Sequence, residues 1–251
     1  MEQRLAAGRF AAYDTSHLVV LALLVAGAAL LVRTGRAHRA DATGRRVATG
    51  LALTLLGVTI PVQVLYLTPR FLEFERALPL QLCDLAWMAS VYALWTRRRW
   101  AVGLVYYWGL TLTSQAVLTP DLGAAFPDPA FLVFWAMHLL VVWAAVYLTW
   151  GLGITPDWRS YRTTVAVTGA WAATAFLVNA AAGTNYGYLN AKPASASVLD
   201  LLGEWPWYVL AEVVILLVGW ALLTWPWAGR SADEGTSVQV WPRQRASRRS
   251  R

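Results

Sequence analysis

Of 251 residues, 58% are hydrophobic and only 14% are charged, whereas a soluble surface needs roughly a quarter of its residues charged. Runs free of Asp, Glu, Lys and Arg cover 47–69, 100–120 and 163–191, each at least the ~20 residues a helix needs to cross a bilayer core. A soluble globular class is excluded, and the composition predicts an all-α, polytopic membrane bundle with no soluble domain inside it.

Seven spans follow in chain order, at roughly 16–32, 47–68, 78–95, 100–118, 130–150, 163–182 and 205–225. The first is the shortest. Its basic cluster follows the apolar run instead of preceding it and no convincing cleavage site closes it, so it reads as a retained helix, not a signal peptide. Residues 1–227 thus form one seven-helix transmembrane domain, and 228–251 a basic tail expected to be disordered.

Charge placement sets the expected orientation. The 33–46, 97–99 and 151–162 loops and the tail from 228 hold 16 of the 21 basic residues, all arginine. Positive loops stay cytoplasmic, so the C-terminus is expected in the cytoplasm and the N-terminus outside, as an odd span count requires. The net charge of +7 comes from arginines spread over one face. That pattern suits membrane lipids, with anionic head groups at the cytoplasmic face, better than nucleic acid. A multi-pass cell-membrane protein is the expectation. Many of the fifteen tryptophans stand at span ends (Trp95, Trp100, Trp150, Trp205, Trp225 and Trp227 among them), where interfacial aromatic belts form. A single cysteine, Cys83, allows no intramolecular disulfide.

Ionisable residues inside a span cost about 2.5–3.5 kcal/mol at the helix centre for Asp, Lys or Arg, and by default they mark function. Three are expected here. Span 3 enters from outside in "LPLQLCDLAW" and places Cys83 beside Asp84, roughly 7–9 Å down at 1.5 Å per residue. Span 5 carries His138 about 12 Å down, and span 7 carries Glu212 about 10 Å down. Gln115 and Asn179 lie near the outer ends of spans 4 and 6. Five helices therefore place polar groups in one outer slab. Their ordinary explanations are a cysteine acting as a small hydrophobe, carboxylates paired with Arg70 or Arg76, and amides joining helices at around 0.6 kcal/mol each.

The chemistry such a set permits is nucleophilic. A thiol becomes reactive as thiolate, and an imidazole can take its proton near neutral pH. A carboxylate, Asp84 or Glu212, could orient that imidazole, and Gln115 or Asn185 could hold an oxyanion. Cys83, Asp84, His138 and Glu212 have no metal-ligand spacing, so no metal or cofactor is expected. Outside span 6, "GTNYGYLNAKPASAS" carries Asn185, Tyr186, Tyr188 and Lys192, the chain's only lysine. It reads either as a plain turn or as a lid whose lysine meets a lipid phosphate.

"LPLQLCD", "FWAMHLL" and "NYGYLNAKP", in that order, resemble the YwaF-like family of bacterial integral membrane proteins, related to the eukaryotic transmembrane-protein-164 acyltransferases. The likeness covers about 46–225. It implies that Cys83 accepts an acyl chain from a phospholipid as a thioester, that His138 activates it, and that the chain passes to a lysolipid, or to water as in related lipid hydrolases. Gln81 departs from the histidine of many relatives. The candidate substrate-binding set is Gln81, Gln115, Asn179, Asn185, Tyr186, Tyr188 and Lys192. Two other expectations compete. One is a small-solute or proton-coupled transporter, for which the inner halves offer only hydroxyls such as those of Ser90 and Tyr147. The other is a non-enzymatic assembly protein.

Overall fold

The computed structural model describes residues 10–72, 77–193 and 197–228, so the expected tail lies outside the described residues. Among the described residues seven rods follow one another. α1 is Thr15–Ala37 and α2 Ala42–Tyr66. α3 is Leu82–Thr96. α4 runs over 99–118 as Arg99–Tyr107, a π-helical turn Trp108–Leu112, and Thr113–Leu118. α5 is Pro129–Gly151 and ends in a second π-helical turn, Tyr147–Gly151. α6 is Trp158–Ala182 and α7 Trp207–Ala228. Short 3₁₀ turns, Tyr186–Tyr188 and Val198–Leu202, lie between α6 and α7. There is no β-strand among the described residues.

Four of these helices start on an aspartate. The carboxylates of Asp14, Asp41, Asp128 and Asp157 accept from amides of their own first turns, which would otherwise be unsatisfied donors. Gly183 closes α6 in the left-handed region (φ +68°), a conformation that favours glycine.

Five rods, α1, α2, α5, α6 and α7, are long and apolar enough to cross a membrane. They do not include α3, whose 15 residues make a rod of only ~22 Å, or α4, which its π turn interrupts. These two form an antiparallel hairpin through Arg97 and Arg98. The hairpin sits at the centre: α3 packs on α2 and α5, and α4 on α3, α5 and α6. Every residue from Ala101 to Gly109 is buried. Apolar side chains on the outer rods, such as Val25, Leu53, Leu177, Val214 and Leu222, are exposed, as lipid contact requires. Gly27 gives the Trp143 indole its place against α1, where a Cβ would overlap the ring.

The arginine loops gather at one end. Arg36 and Arg39 donate to the carbonyls of Trp150 and Gly151, and the charges of Arg45 and Arg97 act on each other. This basic end matches the sorting read from the sequence. The first turn of α3 and the Tyr186–Tyr188 segment lie at the other end.

The half of the bundle nearer the basic end holds a polar network that the composition hides. The Tyr107 hydroxyl meets Thr224 Oγ1 at 2.7 Å, and Trp220 donates to Thr111 Oγ1 at 3.1 Å. Tyr106 donates to the Leu223 carbonyl, and Tyr147 to that of Gly44. Tyr106, Tyr107, Trp108, Tyr147 and Trp220 are all at most 2% exposed, so these hydroxyls are interhelical ties inside a packed aromatic core.

Candidate functional site

α3 begins at Leu82, four residues later than expected. Pro79 and Gln81 are extended or irregular, and tertiary contacts hold the strip before the helix. The Trp171 indole of α6 donates to the Leu80 carbonyl at 2.8 Å, and Gln81 Oε1 accepts from the Gly187 amide at 3.2 Å. Asp84 therefore occupies the first turn of α3, with its carboxyl facing the Gln81 backbone N–H and the Trp87 indole. An acid at that position offsets the helix's unsatisfied N–H groups. This gives Asp84 a structural reason to stand beside Cys83.

Gln81 also joins two of the three sequence motifs. Gly187 (φ +65°) lies so close to the Trp171 ring that a Cβ there would overlap it. The rest of the segment is organised by Asn179, which is 2% exposed. Its Nδ2 donates to the Tyr186 carbonyl (3.1 Å) and to Asn190 Oδ1 (2.8 Å). Its Oδ1 accepts from the Tyr186 amide (2.7 Å) and from Thr184 Oγ1 (2.9 Å). Asn185 folds the turn further through Ala191 and Asn190, and Tyr186 is wholly buried. The Tyr188 hydroxyl donates to Asp121, and that of Tyr208 to the Tyr188 carbonyl. Lys192 Nζ lies 3.7 Å from Glu204 and 4.0 Å from Asp200, over the Tyr208 ring. Most members of the expected substrate-binding set are thus engaged in building this segment.

A second group makes no such bonds. Cys83 is half-buried, its thiol facing the backbone amides of its own first turn; it heads the α3 stripe that continues through the buried Trp87, Ser90 and Leu94. His138 is 3% exposed. Its Nδ1 lies 2.7 Å from the Phe134 carbonyl, so Nδ1 carries the proton and Nε2 presents a lone pair. The ring stacks on Phe134 at 4.1 Å between centroids. Nε2 has no hydrogen-bond partner among the described residues, and neither Asp84 nor Glu212 hydrogen-bonds the imidazole. The backbone carbonyl one turn back fixes the tautomer where a carboxylate was expected. Glu212 is half-buried one turn beyond Tyr208 and forms no ion pair with Arg70.

Helix register places these groups in height. Gly109 of α4 abuts Ala145 of α5, and the two rods are antiparallel, so residues 115–116 are level with His138. The Gln115 amide makes no hydrogen bond among the described residues. The contact of Trp220 with Thr111 places Glu212 about one turn nearer the loop end than Gln115.

Sequence reasoning missed Trp135. Its Nε1 is buried without a partner among the described residues, one turn from His138 on α5. The available signal was a tryptophan in mid-span instead of at an interfacial end. His17 was also passed over. It is fully buried, accepting from the Tyr13 amide at Nδ1 and donating from Nε2 to the Val117 carbonyl, and so ties α1 to α4. Among the described residues no three of His, Cys, Asp and Glu come together as metal ligands.

Comparison with known proteins then fixes the lineage. The model of the TMEM164 family matches residues 12–224. The chain belongs to the TMEM164 family. No curated protein and no solved structure matches it. Cys83, His138 and the Asn179-centred segment all fall inside the stretch that carries TMEM164 membership.

Proposed function

We propose that this TMEM164-family membrane protein transfers acyl chains between phospholipids, with Cys83 as nucleophile and His138 as general base. The supporting observation is the state of the imidazole: Nδ1 is committed to the Phe134 carbonyl, which leaves Nε2 as the basic atom, on a helix packed against the one that bears the only thiol.

In the first half-reaction His138 Nε2 takes the Cys83 proton, and the thiolate attacks the ester carbonyl carbon of a phospholipid. The tetrahedral oxyanion is held by N–H donors, for which Gln115 and Trp135 are the candidates. Collapse breaks the ester C–O bond, and His138 returns the proton to the departing lysolipid oxygen. In the second half-reaction a lysolipid hydroxyl gives its proton to His138 and attacks the thioester, and the sulfur leaves as thiolate and is reprotonated. With water as acceptor the same steps hydrolyse the lipid. Ester bonds lie just beneath the head groups, a depth that suits a thiol in the first turn of α3.

With the basic end cytoplasmic, the reaction faces the outer leaflet, and anionic lipids meet the arginine loops on the other side. The transport reading is disfavoured by the aromatic core, whose hydroxyls are consumed in interhelical bonds toward the basic end. The test is purified protein in liposomes with a labelled diacyl donor and a lysolipid acceptor, monitored by intact mass. The wild type should carry an acyl adduct that Cys83→Ala lacks, and turnover at wild-type rate in Cys83→Ala ends the proposal.

A further inference from the structure

Aromatic side chains hold α7 off α4 along only part of its length. Toward the basic end, Tyr106 and Tyr107 of α4 and Trp220 and Trp227 of α7 fill the space between the rods. Each is hydrogen-bonded across it, to Leu223, Thr224, Thr111 and Tyr106 respectively. Beyond Trp220 these spacers stop. Ser114 returns its hydroxyl to the Gly109 carbonyl of its own helix, and Gln115 is level with Leu216. Among the described residues no hydrogen bond joins α4 to residues 209–219 of α7. Burial changes at the same point. Tyr208 and Trp220 are 1% and 2% exposed, but Glu212, Leu216 and Gly219, on the same inward arc of α7 between them, are half-buried. On α4 every residue from Ala101 to Gly109 is buried, and from Leu110 to Ala116 only Thr113 is. A Cβ added at Gly219 meets nothing within 4 Å. The rods therefore leave a groove about 12 Å long, from Glu212 to the Trp220–Thr111 contact. Tyr161 of α6 closes one side through the Leu217 carbonyl. The other side runs past Gly219 to Ile215, 54% exposed and so open to lipid. Leu216 and Gly219 offer water no side-chain hydrogen bond, so hydrocarbon is the filling that a bilayer supplies.

Resting on the proposed acyl transfer, we infer that this groove seats the acyl chain being transferred, with its ester at the mouth near Glu212 and its methylene groups running past Leu216 and Gly219 to a floor at Trp220. The upper part of the groove is level with Gln115 and His138, so a chain lying there is held at the height of the imidazole. A chain that spans one leaflet, about half of the ~30 Å core, is longer than the groove and fills it to the floor. A short chain ends above Gly219.

The test separates the seat from the chemistry. Cys83→Ala, which has no thiol to acylate, is photolysed in liposomes containing a phosphatidylcholine with a diazirine near the end of a palmitoyl chain, and labelled residues are mapped by peptide mass spectrometry. Leu216, Gly219 or Trp220 should be labelled alongside the lipid-facing Val214. Gly219→Phe in that background should lower the groove label roughly tenfold, while the Val214 label stays. With Cys83 present, Gly219→Phe should slow palmitoyl transfer roughly tenfold relative to hexanoyl transfer. Val218→Phe places equal bulk on the lipid side and should leave that ratio unchanged. Label confined to lipid-facing residues overturns the proposal, as does an unchanged ratio in Gly219→Phe or an equal change in Val218→Phe. Groove label in Cys83→Ala with no acyl adduct on the wild type retains the groove as a lipid-chain site and ends the transfer reading alone.

Discussion

Two neighbouring regions at the loop end treat their polar groups in opposite ways. Around Asn179 every amide position is occupied: one side chain makes four hydrogen bonds and fixes a segment of two tyrosines and a glycine. On the His138 side fewer polar atoms are paired, although Nδ1 is held by the Phe134 carbonyl. Nε2, the Gln115 side-chain amide and the Trp135 indole N–H have no protein partner among the described residues, and the Cys83 thiol meets only the amides of its own turn. In an apolar medium an unpaired polar group costs free energy, and under the proposed function a bound lipid would supply the partners that these groups lack. The first region is scaffold, and the second is the one that the proposed acyl transfer would use.

The sharpest way to break that comparison is to delete the open groups. Cys83→Ala should abolish acyl transfer, and His138→Ala should lower it roughly 10²–10⁴-fold, both with unchanged expression and unfolding temperature. Loss of folded protein instead would return His138 to the scaffold. Next, Gln115→Ala and Trp135→Phe should each lower turnover with little change in lipid affinity, roughly 10²-fold for whichever holds the oxyanion. If neither changes the rate, the oxyanion donors lie elsewhere. Asn179→Ala should do the reverse, costing roughly 1–3 kcal/mol of stability by stranding the buried Tyr186 amide; denaturant or thermal unfolding in detergent would read this, with activity following the folded fraction. Glu212→Gln sharpens the assignment of the orienting group. With Phe134 holding Nδ1, turnover should stay within about twofold of wild type, well under the tenfold that 1.36 kcal/mol represents, and a larger loss would make the carboxylate the orienter.

The smallest expected effect lies at the start of α2. Hydrogen bonds from His38, then from Gly44, hold the Asp41 carboxyl below its ordinary value of 3.8. A carboxylate lowered by folding stabilises the folded state fully above its unfolded value and loses that contribution as pH falls through the folded one. Protection of the Thr43 and Gly44 amides should therefore decline below pH 3.8. Asp41→Asn should flatten this pH dependence in hydrogen exchange, and an unaltered profile would show that Asp41 is not the cap that matters.

Much of the fold was legible because lipid imposes a composition. Uninterrupted apolar runs gave α2, α5, α6 and α7 within a few residues, and the arginine loops sorted to one end as their charge requires. The start of α3 was not legible. Nothing in "LPLQLCD" states that Trp171 and Gly187, roughly ninety and a hundred residues away, hold Leu80 and Gln81 out of the helix. The π turns in α4 and α5 were equally hidden, since they depend on packing and not on local preference.

The sequence by itself determined that the chain lives in a membrane, which end is basic, and that a thiol, an imidazole and a few amides lie within apolar segments. Which of those groups are scaffold and which stay open was decided only by tertiary structure. A hydrogen bond between Asn179 and Tyr186, or between His138 and the Phe134 carbonyl, depends on atoms placed to a fraction of an ångström. Residue identity fixes what a side chain can donate or accept, but the folded backbone fixes whether a partner is there to meet it.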